Sequence, residues 1–306
     1  MKLPKSAQFR GAVTRIKKIP DVVAVAYGDR LRDGAWVPER CLVALVRDKR
    51  PLSQVVETAR VPRKVDGYKT DVIAIGTPRC CVGDMLEASD IVHASKQRRS
   101  TATAFTFRSD GTAIGLLSGH GALPINGSKL FKSLKNANTP YKVQSDGFTG
   151  YVTDGACGGS DGDWAVARFP GIQEQQLYRH HYAVAGKSPF AIKRTIAKPG
   201  LEVAHYSGLS NRGMQVGRAR HLVDSIPLKL PTGKKRAFSD ILTVESGAEP
   251  FALKGDSGSL VVAWKQNNRV IGTVVGTSGD GRLAFVLRIG ALVNAMGHHA
   301  KSFFNV

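Results

Sequence analysis

The chain has 306 residues, 42% of them apolar, which is enough to bury one large or two ordinary cores and excludes a disordered chain. Lysine and arginine number 44 against 24 acids, for a net charge of +20, but the excess is spread as +9 over residues 1–100 and +11 over residues 101–306. Even spreading describes a basic surface with non-specific attraction for anions rather than a dedicated nucleic-acid arm, and no helix-turn-helix, zinc-finger or RNA-binding aromatic motif is visible.

Residues 1–20 are basic and weakly patterned, and read as a mobile arm or a short helix. Residues 22–27 (VVAVAY), 41–46 (CLVALV) and 71–76 (DVIAIG) read as buried strands. The stretch 28–40 has turn composition. Leu52, Val55 and Val56 have helix spacing, which predicts one short helix and a β-α-β-like unit. We expect residues 1–99 to form a small α/β domain, residues 77–100 supplying the connection. From Thr101 onward, short strands alternate with Gly, Asp and Asn turns: TATAFTF, AIGLLSG, DWAVARF, FSDILTV, SLVVAWK and VIGTVVG. Regular short strands over some 200 residues predict a barrel or sandwich over 100–306. The last segment, ALVNAMGHHAKSFF, reads as a terminal helix on the second barrel, with Leu292, Val293, Met296, Phe303 and Phe304 inward.

Three patterns carry chemistry. Ser257 lies in Lys254-Gly255-Asp256-Ser257-Gly258-Ser259-Leu260, where flanking glycines permit a tight turn that exposes the hydroxyl and brings amides near an oxyanion. His120 follows the apolar run Leu116-Leu117 in Ser118-Gly119-His120-Gly121-Ala122, where small neighbours leave room for an imidazole. Asp163 opens the apolar strand Asp163-Trp164-Ala165-Val166-Ala167, and a carboxylate there can hold an imidazole by its Nδ1 proton. Asp161, two residues earlier, is the competing carboxylate and is expected to be exposed.

The order His, Asp, Ser, the separations of 43 and 94 residues, and the three local contexts together resemble the trypsin/chymotrypsin family. The resemblance covers residues 100–306. It implies a mainly β chain with a chymotrypsin-like double antiparallel β-barrel and the triad His120, Asp163 and Ser257 in the cleft between barrels. It further implies oxyanion-hole amides from Gly255 and Ser257, and a substrate cleft lined by Phe251, Val275, Gly276 and Thr277. Protein or peptide would be the substrate, with no cofactor and no metal. Residues 1–99 resemble an α/β extension found ahead of trypsin-like domains in some bacterial proteins, and are a candidate seat for a regulatory partner.

The chain departs from the secreted members of that family. Gly121 stands where they have a cysteine. Cys41, Cys80, Cys81 and Cys157 form neither a zinc spacing nor a disulfide framework. With no apolar leader core and no run of 18 apolar residues, a cytoplasmic setting is expected, with no membrane contact. The cleavable Ile-Val-Gly-Gly start is absent, so Asp256 needs an internal basic residue or hydrogen bonds, or else an oxyanion hole that forms only on binding a partner. Phe251, six residues before Ser257, gives no acid for a Lys or Arg preference and implies a shallow or apolar pocket. Two rival readings are a catalytically silent binding protein on the same fold and a basic nucleic-acid-associated protein. His180-His181 and His298-His299 lack neighbouring ligands at useful spacing and read as surface residues.

Overall fold

The computed structural model describes residues 3–81, 90–93, 99–108, 110–123, 125–126, 129–130, 133–134, 141–145, 148–170, 197–206, 212–247, 249–265 and 269–304. The chain is mainly β. Its strands are β1 (Val22–Arg32), β2 (Ala35–Val46), β3 (Lys64–Val65), β4 (Tyr68–Ala74), β5 (Arg79–Cys80), β6 (Asp90–His93), β7 (Arg99–Phe107), β8 (Ala113–Leu117), β9 (Ile125–Asn126) and β10 (Lys129–Leu130). They continue as β11 (Ser133–Leu134), β12 (Tyr141–Ser145), β13 (Phe148–Cys157), β14 (Asp163–Phe169), β15 (Glu202–Tyr206), β16 (Met214–Lys229), β17 (Lys235–Ser246), β18 (Leu260–Ala263), β19 (Val270–Thr277) and β20 (Leu283–Arg288).

Two antiparallel sheets organise residues 90–288. In the first, pairing runs β13-β12-β6-β7-β8-β14 and returns from β14 to β13. In the second it runs β15-β18-β19-β20-β17-β16 and returns from β16 to β15. One apolar cluster spans both sheets, joining Leu116, Val166 and Phe169 of the first to Phe238, Val275 and Leu287 of the second.

Residues 3–81 attach to the second sheet. β1 pairs antiparallel with β16, placing Ala26 opposite Val223, so the sheet continues as β16-β1-β2-β4-β3. The expected strands at 22–27, 41–46 and 71–76 are present, but β1 and β2 run on through 28–40. Only Asp33 and Gly34, both at positive φ, turn the chain in a tight two-residue hairpin. The N-terminal residues form a helix, Ala7–Lys17, capped by Ser6 Oγ accepting from the Phe9 amide at 3.1 Å. Its Phe9, Ala12 and Ile16 share a face and pack on Val25, Leu42 and Ala44. Burying each large side chain there contributes about 1.5–3 kcal/mol.

The helix expected around Leu52–Val56 does not form. Two 3₁₀ turns, Leu52–Gln54 and Glu57–Ala59, occupy the crossover between the parallel strands β2 and β4, with Val55 and Val56 extended between them. Leu52 and Val56 are 66% and 69% exposed, so no apolar face was available to pin a helix there. The terminal segment also differs from expectation. Its helix Ile289–Met296 stops at Gly297, with φ 57°, and a short second helix, Ala300–Phe303, follows. The first contacts β19 and β20, the second contacts β7, so this segment braces both sheets rather than the second alone.

His221 fixes the seam between β1 and β16. It is fully buried, its Nε2–H donates to the Asp29 carbonyl at 3.0 Å, and the Thr243 hydroxyl donates to Nδ1 at 2.9 Å. Burial pushes its pKa down to about 4, so the ring is neutral at physiological pH. No helix among the described residues is long and apolar enough to cross a membrane.

Candidate active site

His120 sits in a single helical turn, Gly119–Ala122, at the end of the fully buried strand β8. The turn is pressed against the first sheet: a Cβ on Gly119 would lie 2.0 Å from the Ala156 carbonyl oxygen. The small neighbours of His120 are therefore explained by backbone contact, as well as by room for the ring. Asp163 is the first residue of β14, paired opposite Cys157, and is 2% exposed. Its Oδ1 accepts the His120 backbone N–H at 2.8 Å and its Oδ2 accepts from His120 Nδ1 at 2.6 Å. Two bonds from one carboxylate fix both the turn and the plane of the imidazole. Asp161 is exposed, and its carbonyl accepts from Trp164 Nε1 at 3.0 Å.

The other face of the ring meets the second sheet. Ser257 Oγ lies 2.6 Å from His120 Nε2, and both residues are fully buried. With Asp163 holding the Nδ1 proton, Nε2 is the acceptor for the serine hydroxyl. The serine turn is tied to the first sheet by Thr101, whose amide donates to the Ser257 carbonyl at 2.7 Å and whose hydroxyl donates to the Gly255 carbonyl at 2.9 Å. Gly258 has φ 89°, and a Cβ there would sit 2.2 Å from the Thr101 carbonyl oxygen, so only glycine allows this approach. A second tether joins Arg236 Nη1 to the Cys157 carbonyl at 3.0 Å.

Asp256 has an internal partner. Its Oδ2 accepts the Leu253 amide at 2.8 Å and lies 3.6 Å from Arg212 Nη1. Arg212 also donates to the Pro250 carbonyl and to Gln215 Oε1. The buried carboxylate behind Ser257 is thus compensated by a cation of the same chain. Nothing in the local sequence singles out Arg212 among 44 basic residues.

The amides of Gly255 and Ser257 converge on one acceptor, the carbonyl oxygen of Cys81, at 2.5 and 3.5 Å. Strand β5 leads into that carbonyl and pairs antiparallel with β19, Cys80 opposite Gly276 and Arg79 opposite Thr277. The Cys81 side chain is 2% exposed and packs in a cluster with Phe251, Ala252 and Val274. Burial, and then the Asp256 charge, push its thiol pKa far up, while the Thr277 side chain hydrogen-bonds it. The residues named from the sequence therefore collect here, except that Val275 points into the core shared by the two sheets. Phe251 packs at a tilt of 59° against the ring of His205, which is fully buried and donates from Nε2 to the Phe251 carbonyl at 2.5 Å. Neither His205 nor Cys81 was legible as a site residue: one is an isolated histidine, the other half of an adjacent cysteine pair.

His180 and His181 lie outside the described residues. His299 packs on His298 and pairs with Asp154 at 2.8 Å. Among the described residues no group of three or more His, Cys, Asp or Glu side chains is placed to hold a metal ion.

No protein family matches the chain, and no curated protein does. Solved structures do. The chain is similar to the active form of the Rv3671c protease from M. tuberculosis, at 18% identity over 71% of this chain and 81% of that one, with a TM-score of 0.43. It is similar to the Nocardiopsis protease, at 13% identity over 70% and 96%, TM-score 0.40. A glutamic acid specific serine protease matches at 15% identity over 68% and 96%, TM-score 0.42. All three are proteases. At these values the assignment of roles rests on the geometry above.

Proposed function

We propose that the protein is a serine endopeptidase that hydrolyses peptide bonds through an acyl-enzyme. The observation that carries this reading is the unbroken chain from Asp163 Oδ2 through His120 to Ser257 Oγ, two contacts of 2.6 Å, beside two amides aimed at one carbonyl oxygen. Each part answers a requirement of acyl transfer. A serine hydroxyl is a weak nucleophile unless a base accepts its proton as the bond forms, and His120 Nε2 is placed to do so. The imidazolium that results needs a fixed negative charge, which Asp163 supplies. The tetrahedral oxyanion needs donors already in place, which the Gly255 and Ser257 amides provide.

The steps follow. Ser257 Oγ attacks the scissile carbonyl as His120 takes its proton. His120 then protonates the departing amine, leaving the acyl group as an ester on Ser257. Water, deprotonated by His120, attacks that ester and frees the carboxylate and Ser257. Phe251, Gly276 and Thr277 line the cleft, and the apolar floor at Phe251 favours a small or apolar side chain over Lys or Arg. A substrate must displace residues 79–81 from that cleft. Four buried free thiols, Cys41, Cys80, Cys81 and Cys157, support a reducing compartment such as the cytoplasm.

The endopeptidase reading predicts new protein termini when a cell lysate is treated with the enzyme and analysed by mass spectrometry. Those termini should be absent with Ser257→Ala and should share small or apolar residues before the cut. The same termini from both proteins would count against it.

A further inference from the structure

We propose that the chain is its own substrate, with Ser257 cutting the peptide bond between Cys81 and Val82 and Cys81 filling the primary specificity pocket. The inference rests on the triad reading of His120, Asp163 and Ser257, and adds to it a substrate, a bond and a side-chain preference.

Three independent observations place residues 79–81 as a bound peptide. The first is the oxyanion contact. The Cys81 carbonyl is the acceptor for both amides that the reaction requires, at 2.5 Å from Gly255 N and 3.5 Å from Ser257 N. The second is the main chain. Arg79 and Cys80 add to β19 as an antiparallel strand, with Thr277 and Gly276 as partners, which is strand addition of an extended peptide to a sheet. A Cβ on Gly276 would lie 2.5 Å from the Arg79 carbonyl oxygen, so the groove accepts a main chain only because position 276 has no side chain. The third is the side chains. Cys81 enters the cluster of Phe251 and Ala252, while Cys80 enters the other cluster, with Cys157 and Phe238.

The chemistry balances without any group beyond water. Ser257 Oγ bonds to the Cys81 carbonyl carbon, the bond from that carbon to the Val82 nitrogen breaks, and the serine proton passes through His120 to the Val82 amine. Water then splits the ester, leaving a carboxylate on Cys81 and a free hydroxyl on Ser257. The reaction is intramolecular, so the reacting groups need no encounter. After the cut, residues 3–81 stay attached, because β1 remains paired with β16 and the N-terminal helix remains packed on β1 and β2.

The test is the intact mass of the full chain after expression and during incubation, at protein concentrations differing about 100-fold. The expected result is two fragments, 1–81 and 82–306, that co-elute under native conditions and form at a rate independent of concentration. Ser257→Ala should remain one chain of 306 residues. Cys81→Ala should still be cut, while Cys81→Trp, too large for the pocket, should slow the cut by more than about 100-fold. Cleavage at another bond, or cleavage that persists in Ser257→Ala, would overturn the proposal. An uncut wild-type chain whose Ser257 still reacts with a fluorophosphonate would overturn self-cleavage and leave the hydrolase reading intact. An uncut chain whose Ser257 does not react would overturn both.

Discussion

Ser257→Ala is expected to lower hydrolysis of a small activated ester by about 10⁶-fold, and His120→Ala by a similar factor. The two losses should not add. The nucleophile and its base act as one unit, so the double variant should be no slower than either single one. What remains is the rate supplied by binding and the oxyanion donors, about 10³–10⁴ above water. Stability should fall by about 1–3 kcal/mol in Ser257→Ala, because losing the 2.6 Å contact takes a donor away from the fully buried His120 Nε2. Steady-state rates beside a urea unfolding curve check both statements. A fully folded Ser257→Ala protein that keeps more than about a tenth of the activity would remove Ser257 from the chemistry.

Asp163→Asn is expected to cost about 10⁴-fold in kcat while Asp161→Asn costs less than about threefold. The reason is the tautomer. An asparagine amide can donate to His120 Nδ1, which moves the ring proton to Nε2, where the serine hydroxyl needs an acceptor. The fold should survive, because the replacement oxygen can still take the His120 backbone N–H that Asp163 Oδ1 accepts at 2.8 Å. Asp161 is exposed, and its carbonyl rather than its carboxylate takes the Trp164 hydrogen bond, so its side chain can change freely. A pH–rate profile of each variant on the same ester checks the assignment. Equal losses at the two positions would show that the turn as a whole, rather than one carboxylate, orients the imidazole.

Much of this site was legible because its parts are local. His120, Asp163 and Ser257 each stand at a strand end with small or turn-forming neighbours, and the structure brings them together from both sheets. The strands from Thr101 onward were legible for the same reason, since alternating apolar runs and Gly or Asp turns are local signals. What stayed hidden depends on distant pairing. Arg212 and Asp256 meet from positions 44 residues apart in the chain. The contact between Cys81 and the amides of Gly255 and Ser257 joins positions more than 170 residues apart. Leu52, Val55 and Val56 misled because spacing alone predicts a helix, whereas a face with nothing to pack on leaves short 3₁₀ turns and exposed side chains.

The central claim is that Ser257 is a nucleophile activated by His120. The most direct test is to incubate the protein with a fluorophosphonate and map the adduct by peptide mass spectrometry. The adduct is irreversible, so it accumulates even if residues 79–81 vacate the cleft only transiently. The account predicts one modification, on Ser257, at a rate that falls at least about 100-fold in His120→Ala. Modification spread over other serines, or a rate that His120→Ala leaves unchanged, would contradict it.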